Sequence, residues 1–351
     1  MRLLAFLSAS LLLAACGDEP APVPSPAAST APRGPVQKTR FYDETRTQKA
    51  EQGSEVDGLR QGLWREWYAE GPLQAEGAYK DGLKDGPWKL YWPDGSIKGE
   101  LSFAAGKRVG TSAFRHQNGR LFTEGEFEGD KETGLWVCFY PSGDKLDEGR
   151  YEAGLRSGRW TEWHDGGQKA REGEFVAGKE EGRFTTWHKN GQVQTEGEYR
   201  AGKFQGIWKG WYEDGTPAEE AQWADGLKEG PARAWHKNGQ LRTEGSHKAD
   251  RPEGEWVAYS DTGVLLQRGT FAGGVPDGDW VENYPDGRVR KQGRYAAGKK
   301  QGIWKAYHEN GAPQSEGAYV DDLASGDWKH WNADGSIDEE RTGNYQAGVR
   351  Q

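Results

Sequence analysis

The chain has 351 residues, a net charge of −9, 52 glycines, 17 tryptophans and only 34% apolar residues. So few aliphatic side chains exclude a large conventional globular core, and 12% aromatics exclude wholesale disorder. No apolar run beyond the N-terminus is long enough for a membrane-spanning helix, and the acidic balance argues against a nucleic-acid partner.

Residues 1–16, MRLLAFLSASLLLAAC, place one Arg ahead of an apolar stretch from Leu3 to Leu13. That stretch is too short for a mature membrane span and reads as a signal peptide over residues 1–15. Leu13-Ala14-Ala15-Cys16 resembles the bacterial lipobox. The resemblance implies cleavage before Cys16, diacylglycerol on its sulfur and acylation of its new amine. The buried acyl CH₂ groups would make a stable membrane anchor. Gly17, rather than Asp, comes after the cysteine and favours the outer membrane of the cell envelope, although Asp18 stands one place later. Residues 16–36 form the lipidated cysteine and a proline-rich tether, extended at about 3.1 Å per residue. Residues 37–61 are polar and mixed, and are expected to form an N-terminal cap on the segment that begins at residue 62.

From Gly62 onward the chain repeats. Glycines stand at 62, 86, 110, 134, 158, 182, 206, 230, 254, 278, 302 and 326, a period of 24 over twelve units. With Gly62 as position 0, forty-one of the 52 glycines fall at positions 0, 9, 15 and 20. The consensus is G-x-W-x-x-(W/Y)-(H/Y)-x-(N/D)-G-x-(L/V/I)-x-x-E-G-x-(Y/F)-x-x-G. Asn190-Gly191, Asn238-Gly239 and Asp94-Gly95 suit two-residue hairpin turns with positive φ. Trp208 to Tyr212 before such a turn and Val193 to Tyr199 after one are strand-like. A second, longer Gly-bearing loop, as in Ala201–Gly206, is expected to join each unit to the next. The fold expected for residues 62–351 is all-β: an elongated antiparallel β-meander ribbon of twelve 24-residue hairpin units, about 24 strands, each unit touching only its neighbours.

Columns such as Tyr79-x-x-Gly82-x-x-x-Gly86-x-Trp88 and Tyr199-x-x-Gly202-x-x-x-Gly206-x-Trp208 resemble the MORN-repeat family, in the bacterial variant associated with YwqK-type antitoxins. That resemblance implies a repeat scaffold, a membrane-associated protein or an antitoxin. The Gly-Trp repeats of cell-wall-binding surface proteins are a weaker match, because their units are shorter and lack the Glu-Gly-x-Tyr element.

Trp64, Trp88, Trp136, Trp160, Trp208, Trp256, Trp280, Trp304 and Trp328 occupy position 2. A one-layer ribbon has little else to bury, so these rings are read as its core rather than as a sugar platform. Ser112, Phe184 and Ala232 stand in their place in three units and predict weak points or pockets. Position 6 holds Tyr68, Trp92, His116, Tyr140, His164, His188, Tyr212, His236, Tyr284 and His308, with Ser260 and Asn332 as exceptions. Equivalent residues of adjacent units lie about 10 Å apart, two strand spacings. Ligands of one zinc ion sit at about 2.0–2.1 Å from it, so this column alone cannot make a mononuclear metal site. It is read as half-exposed strand residues, and as the candidate ligand-contacting stripe.

Glutamates recur at position 14, from Glu76 to Glu340, broken by Arg268 and Gln292. No unique carboxylate pair is singled out, so they are expected to bond loop amides or pair with lysines, with an acidic stripe facing a basic partner as the alternative. Cys138, the one cysteine of the repeats, reads as a packed small residue. No nucleophile elbow, zinc motif or phosphate loop is present, and neither an enzyme nor a cofactor is expected. The resulting expectation is a membrane-anchored envelope lipoprotein acting as a scaffold for an envelope protein. The alternatives are a glycan or peptidoglycan binder and an antitoxin or immunity protein.

Overall fold

The computed structural model describes residues 34–351; the signal peptide, Cys16 and tether residues 17–33 lie outside them. The described residues form 27 strands in one open antiparallel sheet. Each strand pairs with its neighbours in sequence, which makes the sheet a meander. The twelve units supply 24 of the strands. Two more, β1 (Val36–Phe41) and β2 (Lys49–Val56), come from the segment expected to be a cap, and a short one ends the chain at Val349–Arg350. β2 pairs with β3 (Leu59–Trp67), and β3 pairs with β4 (Leu73–Lys80), so the sheet begins ahead of the recognisable repeat.

The two kinds of connection have the opposite lengths from those expected. The Asn/Asp-Gly segment is the longer one. His188 N–H donates to Gln192 O at 2.8 Å, and Gly191 N–H donates back to His188 O at 2.9 Å. Gly191 has φ 85°, whereas Asn190 is not among the residues with positive φ. This is a three-residue loop, a turn ending in one left-handed residue. Asn190 is selected for its side chain: Oδ1 accepts from Gln192 N–H at 3.0 Å. The tight two-residue turn is the other link. Ala201 and Gly202 have φ of 50° and 82°, the two positive values of the type I′ turn, and Lys203 to Gly206 already belong to the next strand. Alanine has no local preference for that conformation, so the flanking strands impose it.

The core is built from one repeated contact. Trp160 lies flat against the backbone of Gly149 on the preceding strand: a Cβ on that glycine would sit 2.2 Å from the indole. The same close approach joins Gly53 to Trp64, Gly77 to Trp88, Gly125 to Trp136, Gly197 to Trp208, Gly245 to Trp256, Gly293 to Trp304 and Gly317 to Trp328. The indole N–H then donates to the carbonyl one residue beyond the glycine, as in Trp160 Nε1 to Arg150 O at 3.1 Å. Trp280 is turned over: it meets Gly269 through the other edge of its ring, and its N–H goes to Glu282. Trp64 and Trp88 are fully buried in this way although the sheet is a single layer.

Between successive tryptophans stands the aromatic of position 17. Trp64, Tyr79, Trp88 and Phe103 meet edge to face, with centroids 5.9, 5.3 and 6.0 Å apart. The ladder runs on through Phe127, Trp136, Tyr151, Trp160, Phe175, Phe184, Tyr199 and Trp208 after a gap at Ser112. Each such pair contributes about 0.5–1.5 kcal/mol beyond the area it buries. Cations at position 22 cover several of the rings: Arg60 lies 4.3 Å from the Trp64 ring, Lys84 3.8 Å from Trp88 and Arg156 4.1 Å from Trp160. Burial against the rings holds the Lys84 ammonium below its ordinary pKa.

The three positions without tryptophan behave differently. Phe184 keeps the arrangement, lying on Gly173 and 2% exposed. At another, sizes are exchanged: Leu101 replaces the glycine and Ser112 replaces the tryptophan, and both are buried. Only at the third are both partners small, where Ala221 pairs with Ala232.

Because the glycine is required by the ring, the two substitutions should be coupled. Gly149→Ala should cost about 2–3 kcal/mol in an otherwise unchanged chain. In a Trp160→Ala background its cost should fall near zero, measured as a double-mutant cycle by hydrogen exchange of the Leu155–Trp163 strand. Equal costs in both backgrounds would refute the rung.

Candidate functional site

The ten residues of the candidate stripe share one geometry. Each is half-buried and points its donor at the backbone carbonyl 23 residues later, in the next unit. Tyr68 Oη reaches Tyr91 O, Tyr140 Oη reaches Trp163 O, Tyr212 Oη reaches Trp235 O and Tyr284 Oη reaches Tyr307 O at 2.7–2.9 Å. His116, His164, His188, His236 and His308 place Nε2 at 2.8–2.9 Å from Phe139, Trp187, Trp211, Tyr259 and Trp331 O. Trp92 Nε1 does the same to Arg115 O at 3.3 Å. A carbonyl only accepts, so each of these histidines carries a proton on Nε2, in the neutral or the charged form. The column staples unit to unit, and its polar tips are engaged within the sheet.

The exceptions confirm what the column supplies. Ser260 is too short to reach the next unit, and its Oγ accepts from Val264 N–H in its own turn. The residue it should meet is Asn283, whose Nδ2 donates to Leu265 O while its Oδ1 is buried without a partner. Asn332 likewise bonds locally, to Ser336.

The glutamate column lies on the opposite face and is largely consumed by ion pairs across adjacent strands. Arg65 pairs with Glu76 at 3.1 Å, Arg233 with Glu244 at 2.6 Å and Lys305 with Glu316 at 3.2 Å. The Tyr91 hydroxyl and Arg65 hold the Glu76 carboxyl below its usual value. Where Arg268 replaces glutamate, the polarity is inverted and Glu255 is its partner at 3.3 Å. These pairs are exposed, and each contributes only a few tenths of a kcal/mol.

Cys138 lies mid-strand with Sγ donating to Thr123 Oγ1 at 3.2 Å. Burial pushes its thiol up to about 11.

One departure from regularity is a cavity of about 250 Å³ on the aromatic face, between Phe184 and Lys228. Its aromatic wall is formed by Tyr199, Phe204, Trp208 and Trp223. Phe204 stands where several other units carry a cation; it stacks on Tyr199 at 4.9 Å and meets Trp223 at 4.8 Å. Thr186 and Thr195, their hydroxyls 2.6 Å apart, border it, with Ala221 beside them. Of the replacements noted in the sequence, Phe184 lines this cavity, and Ala232, the cross-strand partner of Ala221, borders a second hollow of about 210 Å³. Sequence reasoning missed the position-17 ladder and the cations over it. The signal was the recurring aromatic fifteen residues after each tryptophan, as Tyr79 stands after Trp64.

Loss or gain of a staple should show directly in stability. Tyr140→Phe should lower it by about 1 kcal/mol and Ser260→Tyr should raise it, read from urea midpoints. Opposite signs would contradict the staple. In a Cys16→Ser chain, the native Cys138 thiol should label slowly at pH 8 and about tenfold faster per pH unit towards its raised value, but at the free-thiol rate in denaturant. The same burial contributes stability that is full below about pH 9 and falls as the pH rises towards 11.

A family model described as the MORN repeat variant matches residues 84–105, 180–201, 204–225, 228–249 and 300–321. Each match covers the two strands around one Asn/Asp-Gly loop, as Lys203–Trp211 and Pro217–Ala224 do for 204–225. No curated protein matches the chain. Among solved structures, TcdB2-TccC3 without its hypervariable C-terminal region is similar at 10% identity and a TM-score of 0.16, over 90% of this chain. TcdB2-TccC3-TEV is similar at 12% identity and a TM-score of 0.15, over 84% of this chain. This chain spans 18% and 19% of their respective lengths. At these five places the repeating unit is similar to the MORN repeat variant.

Proposed function

We propose that this chain is an envelope lipoprotein, anchored through Cys16 in the outer membrane, whose ribbon is a scaffold for a protein partner. One observation carries the scaffold reading: exposed aliphatic side chains recur at one position of the repeat, on a surface that also carries ion pairs. Leu63, Leu135, Ile207 and Ile303, all at position 1, are 53–55% exposed. Spaced apolar side chains set among matched charges suit a protein surface, with the charges providing register and the aliphatics the buried contact. The anchor rests on the sequence Leu13–Cys16 and its proline-rich tether. The association of this repeat variant with YwqK-type antitoxins makes a neutralised toxin one form such a partner could take.

The test is purification of the lipidated chain from detergent-solubilised membranes of its host, beside an anchored chain lacking residues 62–351. A near-stoichiometric protein retained only by the full chain is the expected result. Retention of polysaccharide or muropeptide without protein would overturn the scaffold reading. Cys16→Ser should move the chain from the membrane to the soluble fraction, and unchanged membrane association would overturn the anchor.

A further inference from the structure

Four columns of the repeat depart from their common residues within residues 204–232; three of these departures line the same cavity, and the fourth, Ala232, pairs with one of them. Position 22 is aromatic only at Phe204; half of the units carry a cation there, as at Arg60, Lys84, Arg108, Arg156 and Lys300. Position 17 is Trp223, the one tryptophan among tyrosines, phenylalanines and a histidine. Position 15 is Ala221 in place of glycine, and position 2 is Ala232 in place of tryptophan. Gly210, at a position with no consensus residue, pairs with Thr195 on one side and Glu219 on the other and places no side chain between these two lining residues. Random decay of a repeat would scatter such changes among units. Here bulk is removed beneath the cavity and aromatic surface is added beside it.

We propose that this cavity binds one pyranose ring of a saccharide, an activity beyond the scaffold role. A pyranose has an apolar C–H face and a rim of hydroxyls that both donate and accept. The cavity offers the matching parts. Phe204 and Trp223 give tilted aromatic surface. Thr186 and Thr195 bring hydroxyls to the border. Glu219 supplies an acceptor and Lys228 a donor at the rim, and neither has an ion-pair partner among the described residues. Lys228 is held 5.5 Å from the Trp223 ring rather than by a carboxylate. An apolar ligand would strip water from both charges without replacing its hydrogen bonds, and a simple ion would leave the aromatic wall unused. The volume, about eight waters' worth, is that of a single sugar ring.

The test uses the full chain with Cys16→Ser, titrated with methyl glucoside, methyl galactoside, N-acetylglucosamine and N-acetylmuramic acid. The readout is the indole N–H signals of Trp208 and Trp223 in NMR spectra. At least one saccharide should shift both signals saturably in the millimolar range, with little dependence on salt. Glu219→Gln should weaken binding about tenfold. Ala221→Leu, which fills the site, should abolish it, and Glu316→Gln on the opposite face should leave it unchanged. Unaltered signals of the remaining tryptophans in each variant confirm that the fold is retained. No shift with any saccharide would overturn the proposal. So would free tryptophan binding instead, in a salt-dependent manner, because that would mark Glu219 and Lys228 as a zwitterion clamp. Neither outcome touches the scaffold reading, which is tested by a protein partner.

Discussion

A tryptophan lying on a glycine decides almost everything else in this sheet. A one-layer ribbon has no second layer against which to bury side chains. Trp160 is 3% exposed because Gly149 has no Cβ to hold it off the neighbouring backbone. The indole covers peptide groups that would otherwise meet water, and its N–H is satisfied by the adjacent carbonyl, so no polar group is buried without a partner at this rung. The composition has the same origin: a chain of such rungs needs many glycines and tryptophans and few aliphatics. So do the coupled replacements. Where Leu101 adds a side chain, residue 112 shrinks to serine, since the space over one strand can be filled from either side but not both.

The period, the meander and the burial of the tryptophans were legible in the sequence, because each rests on spacing and size. The turns were not. Asn-Gly favours a two-residue hairpin turn by its tolerance of positive φ, yet Asn190 uses its side chain to accept Gln192 N–H and leaves the left-handed position to Gly191. Ala201-Gly202 carries no such local signal. Its conformation comes from the twist and register of the strands on either side, the bulge after Glu196 included. Local chemistry was outweighed by the sheet in one place and put to a different use in the other.

The position-6 column illustrates a different limit. Histidine, tyrosine and tryptophan share little except a ring that carries a donor at similar reach. That donor serves a ligand or a backbone carbonyl equally well, and only the register between units decides. Tyr140 and His164 find Trp163 O and Trp187 O, so the stripe works as a line of staples. Ser260 shows how one is lost: its Oγ accepts from Val264 N–H in its own turn and does not reach the next unit.

A strict repeat also separates what holds the protein together from what makes one part of it distinct. The side chains that recur from unit to unit are accounted for by packing or by unit-to-unit bonding, as the tryptophans, the position-17 aromatics and the staples are. Such columns cannot by themselves create a unique site, because each offers the same geometry about every 10 Å. A site specific to one ligand needs broken symmetry, and broken symmetry costs stability unless neighbouring positions change together. Around Thr195 they do: Ala221 and Ala232 give up volume, while Phe204 links Trp208 to Trp223 and carries aromatic contact up to the place where Ala232 interrupts the ladder. The ribbon keeps its sheet through this stretch, with the strands still paired in order, and the departure is in what the strands carry. In a protein made almost entirely of one motif, the residues that break the motif together are where specificity has room to reside.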